Sequence, residues 1–108
     1  MWLSEIILKK LQFHRGEKQA IPRRELLDYL HQVADPELSD RWMRRTYENL
    51  PICASQYGLF IPVSRAEVEA YEKYLSKKIA PWKVREKIIR LREAYPELWQ
   101  VQQLELGI

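Results

Sequence analysis

The stretch Ser39–Leu50, SDRWMRRTYENL, places three arginines and a tryptophan on one short predicted helix. Because each helical residue advances by about 100°, Met43, Tyr47 and Leu50 fall within one narrow apolar stripe. Such a stripe is typical of a helix face turned toward a core. We therefore expect these three side chains to point inward, and either Ser39 or the residue after it can cap the start of the helix.

The rest of this helix forms a cationic and partly aromatic outer surface. Two interpretations of the arginines are open: they are solvated, as most exposed arginines are, or they contact an anionic partner. Trp42 on one flank either packs on the preceding helix or faces outward. The outer residues are Arg41, Arg45 and Glu48 opposite the stripe, Arg44 on one flank, and Trp42 and Asn49 on the other.

The composition favours a small helical protein. The chain has 108 residues, of which 46% are hydrophobic and only 3 are glycine, which allows a real core and few strands. The single cysteine, Cys53, cannot form an internal disulfide, so a cytoplasmic location is expected. The opening segment MWLSEIILKKLQF has too short an uncharged run to span a bilayer, and no membrane association is predicted.

Charge is distributed unevenly along the chain. The net charge of +3 is modest, but the range 73–92 holds eight basic residues and one acid, Glu86. This block is either an ordinary solvated helix surface or a contact surface for an anionic partner.

Apolar spacing predicts two helices before the arginine-rich helix. The first is predicted to end before Gly16, with Trp2 and Phe13 extending its buried face, and the second to hold Pro22 in its first turn. The turn ADPELS separates the second helix from the third. The predicted inward positions are Leu3, Ile6, Ile7 and Leu11 on the first helix, and Leu26, Leu27, Leu30 and Val33 on the second.

A β-hairpin and more helices are predicted after the third helix. In the segment PICASQYGLFIPVS, apolar residues lie on both sides of a predicted turn. Gly58 in this turn can adopt positive φ without a Cβ penalty. The stretch Ser64–Glu67, SRAE, fits a capping box that opens a fourth helix. Pro81 must kink or end that helix, and helical spacing then resumes up to Tyr95. The fold class predicted is mainly α with a small β-hairpin.

The order helix, helix, turn, helix, hairpin resembles the winged helix-turn-helix DNA-binding fold over residues 2–63. The segments IPRRELLDYL, SDRWMRRTYENLP and ICASQYGLFIPVSRAE are similar to small winged-helix proteins of phages and prophages, with Ile21 in the place of the short first strand. The resemblance implies a domain at 1–63 and a C-terminal helical extension at 64–108. It also implies that Ser39–Leu50 is the recognition helix and that Gln56–Gly58 is the tip of the wing.

From this resemblance we expect double-stranded DNA as the partner. The wing departs from the family pattern because it carries no Lys or Arg between Ile52 and Ser64, so its contacts would rest on neutral side chains and backbone N–H groups. The second helix would contact the DNA backbone through its N-terminal arginines. The expected DNA-binding residues are Arg23, Arg24, Ser39, Arg41, Trp42, Arg44, Arg45, Gln56 and Tyr57.

No catalytic, metal-binding or cofactor motif is present, and we expect a non-enzymatic protein. His14 and His31 are the only histidines, and none of the spacings HExxH, CxxC, GxGxxG or P-loop occurs. His31 is most simply a residue at the core boundary, and Cys53 a small core residue.

Two further questions stay open at the level of sequence. The alternative function is a protein-interaction module on a winged-helix scaffold that does not bind DNA. The apolar series of the range 64–95 either forms a homodimer or folds back on the first helix, with Tyr71, Leu75 and Trp82 against Trp2, Ile6 and Phe13.

Overall fold

The computed structural model describes residues 2–100, and these form a mainly α fold with one small antiparallel hairpin. The predicted fold class is thereby confirmed. Residues 101–108 of the predicted extension lie outside the described residues. In chain order the elements are α1 Leu3–Leu11, a 3-10 turn Glu17–Gln19, α2 Arg23–Val33, α3 Asp40–Tyr47, β1 Cys53–Ser55, β2 Gly58–Phe60, α4 Arg65–Ser76 and α5 Pro81–Ala94.

Serine caps open two of these helices as predicted. Ser39 Oγ accepts a hydrogen bond of 3.2 Å from the Trp42 backbone N–H at the start of α3. Ser64 Oγ accepts one of 3.3 Å from the Glu67 N–H at the start of α4. Each bond satisfies one of the N–H groups that a helix start leaves without a partner.

Helix α3 is shorter than predicted, because it ends at Tyr47 instead of Leu50. Pro51 disfavours helical geometry in the residue before it. The Leu50 N–H instead closes a tight turn onto the Tyr47 carbonyl at 3.0 Å. Leu50 still packs against the core, as the apolar stripe predicts.

Strand β2 has hydrogen-bonded neighbours on both sides. On one side Ala54 pairs with Leu59 in the antiparallel register with β1. On the other side Leu59 and Ile21 exchange two backbone hydrogen bonds of 2.9 Å. The Ile61 N–H donates to the His14 carbonyl at 3.0 Å, and the Gly16 N–H donates to the Ile61 carbonyl at 2.7 Å. The segment before α2 therefore lies along the outer edge of the hairpin.

Gly58 is required at the hairpin turn for two reasons. Its φ of +128° belongs to a region that residues with a Cβ rarely adopt. A Cβ at this position would also collide with the Ile21 carbonyl and lie only 2.8 Å from Pro22 N. Ile21 can thus approach β2 closely only because residue 58 is a glycine, which has no Cβ.

The hairpin lies between two layers of helices. Leu59 and Ile61 face a core built with α1, α2 and α3. Cys53 and Phe60 point to the opposite side, where α4 and α5 cover them. This difference follows from the alternation of side chains along a strand.

A glutamate ties the start of α4 to the segment before α2. Glu67 Oε2 accepts a hydrogen bond of 2.7 Å from the Glu17 N–H, and Glu67 Oε1 accepts one of 2.8 Å from the Val63 N–H. The predicted capping box is therefore modified, because its carboxylate reaches Val63 and the 3-10 turn.

Three predicted core residues are exposed. Trp2 immediately precedes α1, Phe13 follows its last turn, and both are more than three-quarters exposed. Val33 is the last residue of α2 and is half exposed. It lies beyond Leu30, the last buried residue of this helix. The buried stripes of α1 and α2 are shorter than the sequence pattern because these positions lie at the helix ends.

The C-terminal helices cover the hairpin and do not fold back on α1. A turn before Pro81 divides the predicted apolar series, and α5 packs against α4. Trp82, which the fold-back alternative placed at that contact, is largely exposed, as are Trp2 and Phe13. The residues that this packing buries are Val68, Leu75, Val84 and Leu91.

Candidate nucleic-acid interface

The outer face of α3 carries the cations that the sequence predicts. Met43 is fully buried and Tyr47 is 9% exposed, so the predicted inward stripe is confirmed. Arg41, Arg44 and Arg45 are all exposed. The buried stripe anchors α3 in the core. The arginines on its opposite side are therefore held in fixed positions at the surface.

Trp42 faces outward. The side chain is 61% exposed, and the Arg45 guanidinium lies 5.3 Å from the centroid of its ring. Of the two interpretations left open by the sequence, packing on α2 is therefore wrong. A cation held over an exposed ring contributes about 0.5–1 kcal/mol, enough to favour one arrangement of the pair.

Asp40 divides the arginines into two groups. Its carboxylate lies 3.5 Å from the Arg44 guanidinium and 4.0 Å from that of Arg23. Within residues 2–100, Arg41 and Arg45 have no carboxylate at salt-bridge distance. Arg41 and Arg45 are therefore the two arginines of α3 without a salt bridge among the described residues.

Arg23 connects α2 to α3 and to the hairpin tip. Interaction with the Tyr47 side chain, and to a smaller extent with the Asp40 carboxylate, raises the pKa of Arg23. The guanidinium lines a groove of about 380 Å³ together with Gln56 and Tyr57. Predicted contact residues from the start of α2 and from the hairpin tip, which are far apart in sequence, thus share one groove.

Tyr74 of α4 also lines this groove and was not among the predicted residues. It is 48% exposed and follows a lysine on an otherwise ordinary amphipathic helix. No sequence signal links it to the hairpin tip, because the contact depends on how α4 crosses the hairpin.

The two remaining predicted residues occupy the starts of helices. Arg24 is exposed in the first turn of α2 and does not line the groove of Arg23. The Ser39 oxygen accepts the Trp42 N–H, which leaves its hydroxyl hydrogen available for an external acceptor.

The basic block of the range 73–92 reaches the end of α3. Lys87 Nζ donates a hydrogen bond of 2.7 Å to the Glu48 carbonyl, which immediately follows α3. Burial lowers the pKa of Lys87, and the nearby Glu48 carboxylate partly opposes that change. Beside this contact is a second groove of about 220 Å³, lined by Glu48, Asn49, Trp82, Lys83, Glu86, Lys87 and Arg90.

The nucleophilic and imidazole groups have structural partners or are buried. Burial raises the pKa of the Cys53 thiol to about 12, which disfavours the reactive thiolate. His31 Nε2 lies 2.7 Å from the Leu38 carbonyl oxygen, and His14 Nδ1 lies 2.8 Å from that of Gln19. Among residues 2–100 there is no group of three or more His, Cys, Asp or Glu side chains that could hold a metal ion.

No protein-family model, curated protein or solved structure matches this chain. None of the helices within residues 2–100 is both long and apolar enough to cross a membrane. The site offers guanidinium groups, amides and aromatic faces, which are the groups that bind phosphates and base edges in nucleic acids.

Proposed function

We propose that this protein is a non-enzymatic DNA-binding protein that inserts α3 into the major groove. The observation that supports this proposal is the outer face of α3, where Arg41 and Arg45 have no carboxylate partner among the described residues and Trp42 is exposed. An arginine on such a helix can contact phosphates or bind the O6 and N7 atoms of guanine.

The other predicted residues have supporting roles in this proposal. Arg23 and Arg24, at the start of α2, contact the phosphate backbone and fix the orientation of α3. Gln56 and Tyr57 approach the DNA from the hairpin tip through hydrogen bonds and an aromatic face. Arg44 and Arg23 attract DNA less strongly than Arg41, because the Asp40 carboxylate partly neutralises their charges.

The biological setting follows from the resemblance to phage and prophage winged-helix proteins. We propose a role in the transcription or DNA replication of a phage or prophage, in the host cytoplasm. This part of the proposal rests on the sequence pattern of residues 2–63.

A homodimer through residues 64–95 belongs to the same proposal. Ile89 stays 48% exposed on α5, and a second copy would cover it. Two-fold symmetry would then favour a near-palindromic DNA site. Sedimentation of the full chain tests the dimer: a monomer at tens of micromolar concentration contradicts it.

A second candidate is a protein-interaction module that does not bind DNA. The hairpin tip favours it, because Gln56 and Tyr57 carry no charge and no Lys or Arg lies between Ile52 and Ser64. A wing that follows a phosphate backbone gains affinity from positive charge, and this wing supplies none.

Selection from a pool of random DNA duplexes tests the two candidates. We expect enrichment of one sequence and an affinity for it that falls with salt. The double variant Arg41→Ala with Arg45→Ala should lose about 100-fold in affinity, since each base contact is worth about 1–3 kcal/mol. Its thermal unfolding should change little because both side chains are exposed.

The matched control is Lys9→Ala with Lys18→Ala, which removes the same charge from exposed positions on α1 and the following 3-10 turn. Equal losses in the two double variants would mean that only net charge matters. A parent protein that enriches no duplex would favour the protein-interaction module.

A further inference from the structure

We propose that α5 supplies a second nucleic-acid contact, in which Lys83 and Arg90 bind the phosphate backbone beside the bases contacted by α3. The contact surface is the groove between the end of α3 and α5, which we name the α3–α5 groove. This inference rests on the proposed function and extends it to a part of the chain outside the winged-helix pattern.

One side of α3 leads directly into this groove. Trp42, Arg45 and Asn49 follow one another at spacings of three and four residues, which places them along one side of the helix and its last turn. Asn49 lines the groove, and its Nδ2 donates to the Arg45 carbonyl at 3.5 Å. The exposed surface of α3 is therefore continuous with the groove.

The opposite wall of the groove carries a row of cations. Lys83, Lys87 and Arg90 share one face of α5, with two helical turns between the first and the last. Lys83 and Arg90 are about 10 Å apart along the helix axis, which corresponds to about three phosphates of one DNA strand. Lys87 lies between them, and its bond to the Glu48 carbonyl holds α5 beside α3.

Helices α3 and α5 each carry a pair of one aromatic and one cationic side chain. Trp82 is 59% exposed, and the Lys83 ammonium lies 5.5 Å from its ring centroid. On α3 the corresponding pair is Trp42 with Arg45, at 5.3 Å. Each pair presents a charge for a phosphate and a flat face for a sugar or base.

The groove also contains two acids, which limit the expected affinity. Glu48 and Glu86 line it together with three cations. The surplus of positive charge is small, so the groove should strengthen a complex that α3 forms and should not hold DNA alone. Lys87 is bonded to Glu48, so we expect the other two cations, Lys83 and Arg90, to strengthen DNA binding about tenfold.

The test compares two double variants of equal charge in the full chain. The first is Lys83→Ala with Arg90→Ala. The second is Lys9→Ala with Lys18→Ala, which removes the same charge from exposed positions outside the groove and outside residues 64–95. The probe is a labelled duplex of about 30 base pairs with the sequence selected by the parent protein at its centre. Binding is measured by fluorescence anisotropy at several salt concentrations.

The first variant should lose about tenfold in affinity, and the slope of log K against log salt should become shallower by about 2. The second variant should bind within about twofold of the parent. On a duplex of about 12 base pairs, which covers only one helical turn, the parent and the first variant should bind alike. Equal losses in both double variants would show a general charge effect and would overturn the inference.

A variant that gains affinity excludes misfolding as the cause. Glu86→Gln removes an exposed carboxylate from the groove, and its affinity should rise about threefold at low salt. If Lys83→Ala with Arg90→Ala binds like the parent while Arg41→Ala with Arg45→Ala binds weakly, the groove contact is wrong and the proposed function stands. If the parent protein binds no duplex, both proposals fail.

Discussion

The two faces of the hairpin are covered by different helices and contain different groups. The inner face, with Leu59 and Ile61, completes a mostly aliphatic core with side chains from α1, α2 and α3. The outer face, with Cys53 and Phe60, contacts Tyr71 and α5. Two strands of three residues each are not stable alone in water. They persist here because helices bury both of their faces.

The largest expected effect comes from removing the central side chain of each face. Phe60→Ala should lower the free energy of unfolding by about 4 kcal/mol, and Leu59→Ala by about 3 kcal/mol, because both residues are buried. Denaturant unfolding followed by tryptophan fluorescence and by far-UV circular dichroism measures both. The signals should coincide in one transition.

Tyr57→Ala at the exposed hairpin tip is the control, and its unfolding should match that of the parent within about 0.5 kcal/mol. Two separate transitions in Phe60→Ala would show that the layer of α4 and α5 unfolds on its own. The two faces would then belong to independent units.

Gly58→Ala should affect both faces at once. The substitution combines an unfavourable φ with a collision against the Ile21 backbone, and the two hydrogen bonds between Ile21 and Leu59 would be strained. We expect a loss of about 3 kcal/mol in the same unfolding measurement.

Gly16→Ala serves as the comparison. Gly16 also has positive φ, but a Cβ there would meet only side-chain atoms, the nearest being in Val63 at 3.2 Å. Its loss should be about 1 kcal/mol. An equal loss in both variants would mean that the Ile21 backbone moves freely and that Gly58 is needed for its φ alone.

Alkaline pH should weaken the outer face first. Burial raises the pKa of Cys53 from 9.0 to about 12, so the folded chain retains a proton that the unfolded chain loses. The contribution is fully present below pH 9.0 and declines as pH rises above it, by up to about 1.4 kcal/mol per pH unit. Burial also raises the pKa of Tyr71 and Tyr95, which extends the decline to higher pH.

Cys53→Ala isolates the thiol. In this variant, the free energy of unfolding measured between about pH 8 and pH 10 should no longer show the early decline. The later decline that the tyrosines cause should remain. If the pH dependence of the variant and the parent is the same, the thiol is accessible in the folded chain.

The smallest effect is expected at a contact between the layers. The Tyr95 hydroxyl donates a hydrogen bond of 2.8 Å to the Pro51 carbonyl. Tyr95→Phe should lower the free energy of unfolding by about 1 kcal/mol, measured by thermal or denaturant unfolding. An unchanged value would show that water replaces the hydroxyl and that this hydrogen bond does not help to join the layers.

The sequence correctly predicted those elements whose caps, turn residues or periodicity lie within the element itself. Ser39 and Ser64 cap helices through side chains three residues from the N–H groups they bind. Gly58 marks the turn because part of its requirement is a backbone conformation. The stripe of Met43 and Tyr47 depends only on helical periodicity. Each of these features is decided within a few residues of the chain.

The features that sequence reasoning missed depend on tertiary arrangement. Trp2 and Phe13 are apolar and lie near a buried stripe, but they flank α1 and nothing covers them within the described residues. The contact from Lys87 to the Glu48 carbonyl joins residues that are 39 positions apart. No periodicity or motif signals such a contact, so the α3–α5 groove could not be predicted.

The hydrogen bonds along the outer edge of β2 also bear on aggregation. Exposed strand edges act as templates for pairing with other chains. Here the residues around Gly16 and Ile21 already occupy the donors and acceptors of Leu59 and Ile61. The opposite edge belongs to β1, which is only three residues long. This hairpin therefore offers little surface for the intermolecular β-sheet growth that leads to fibrils.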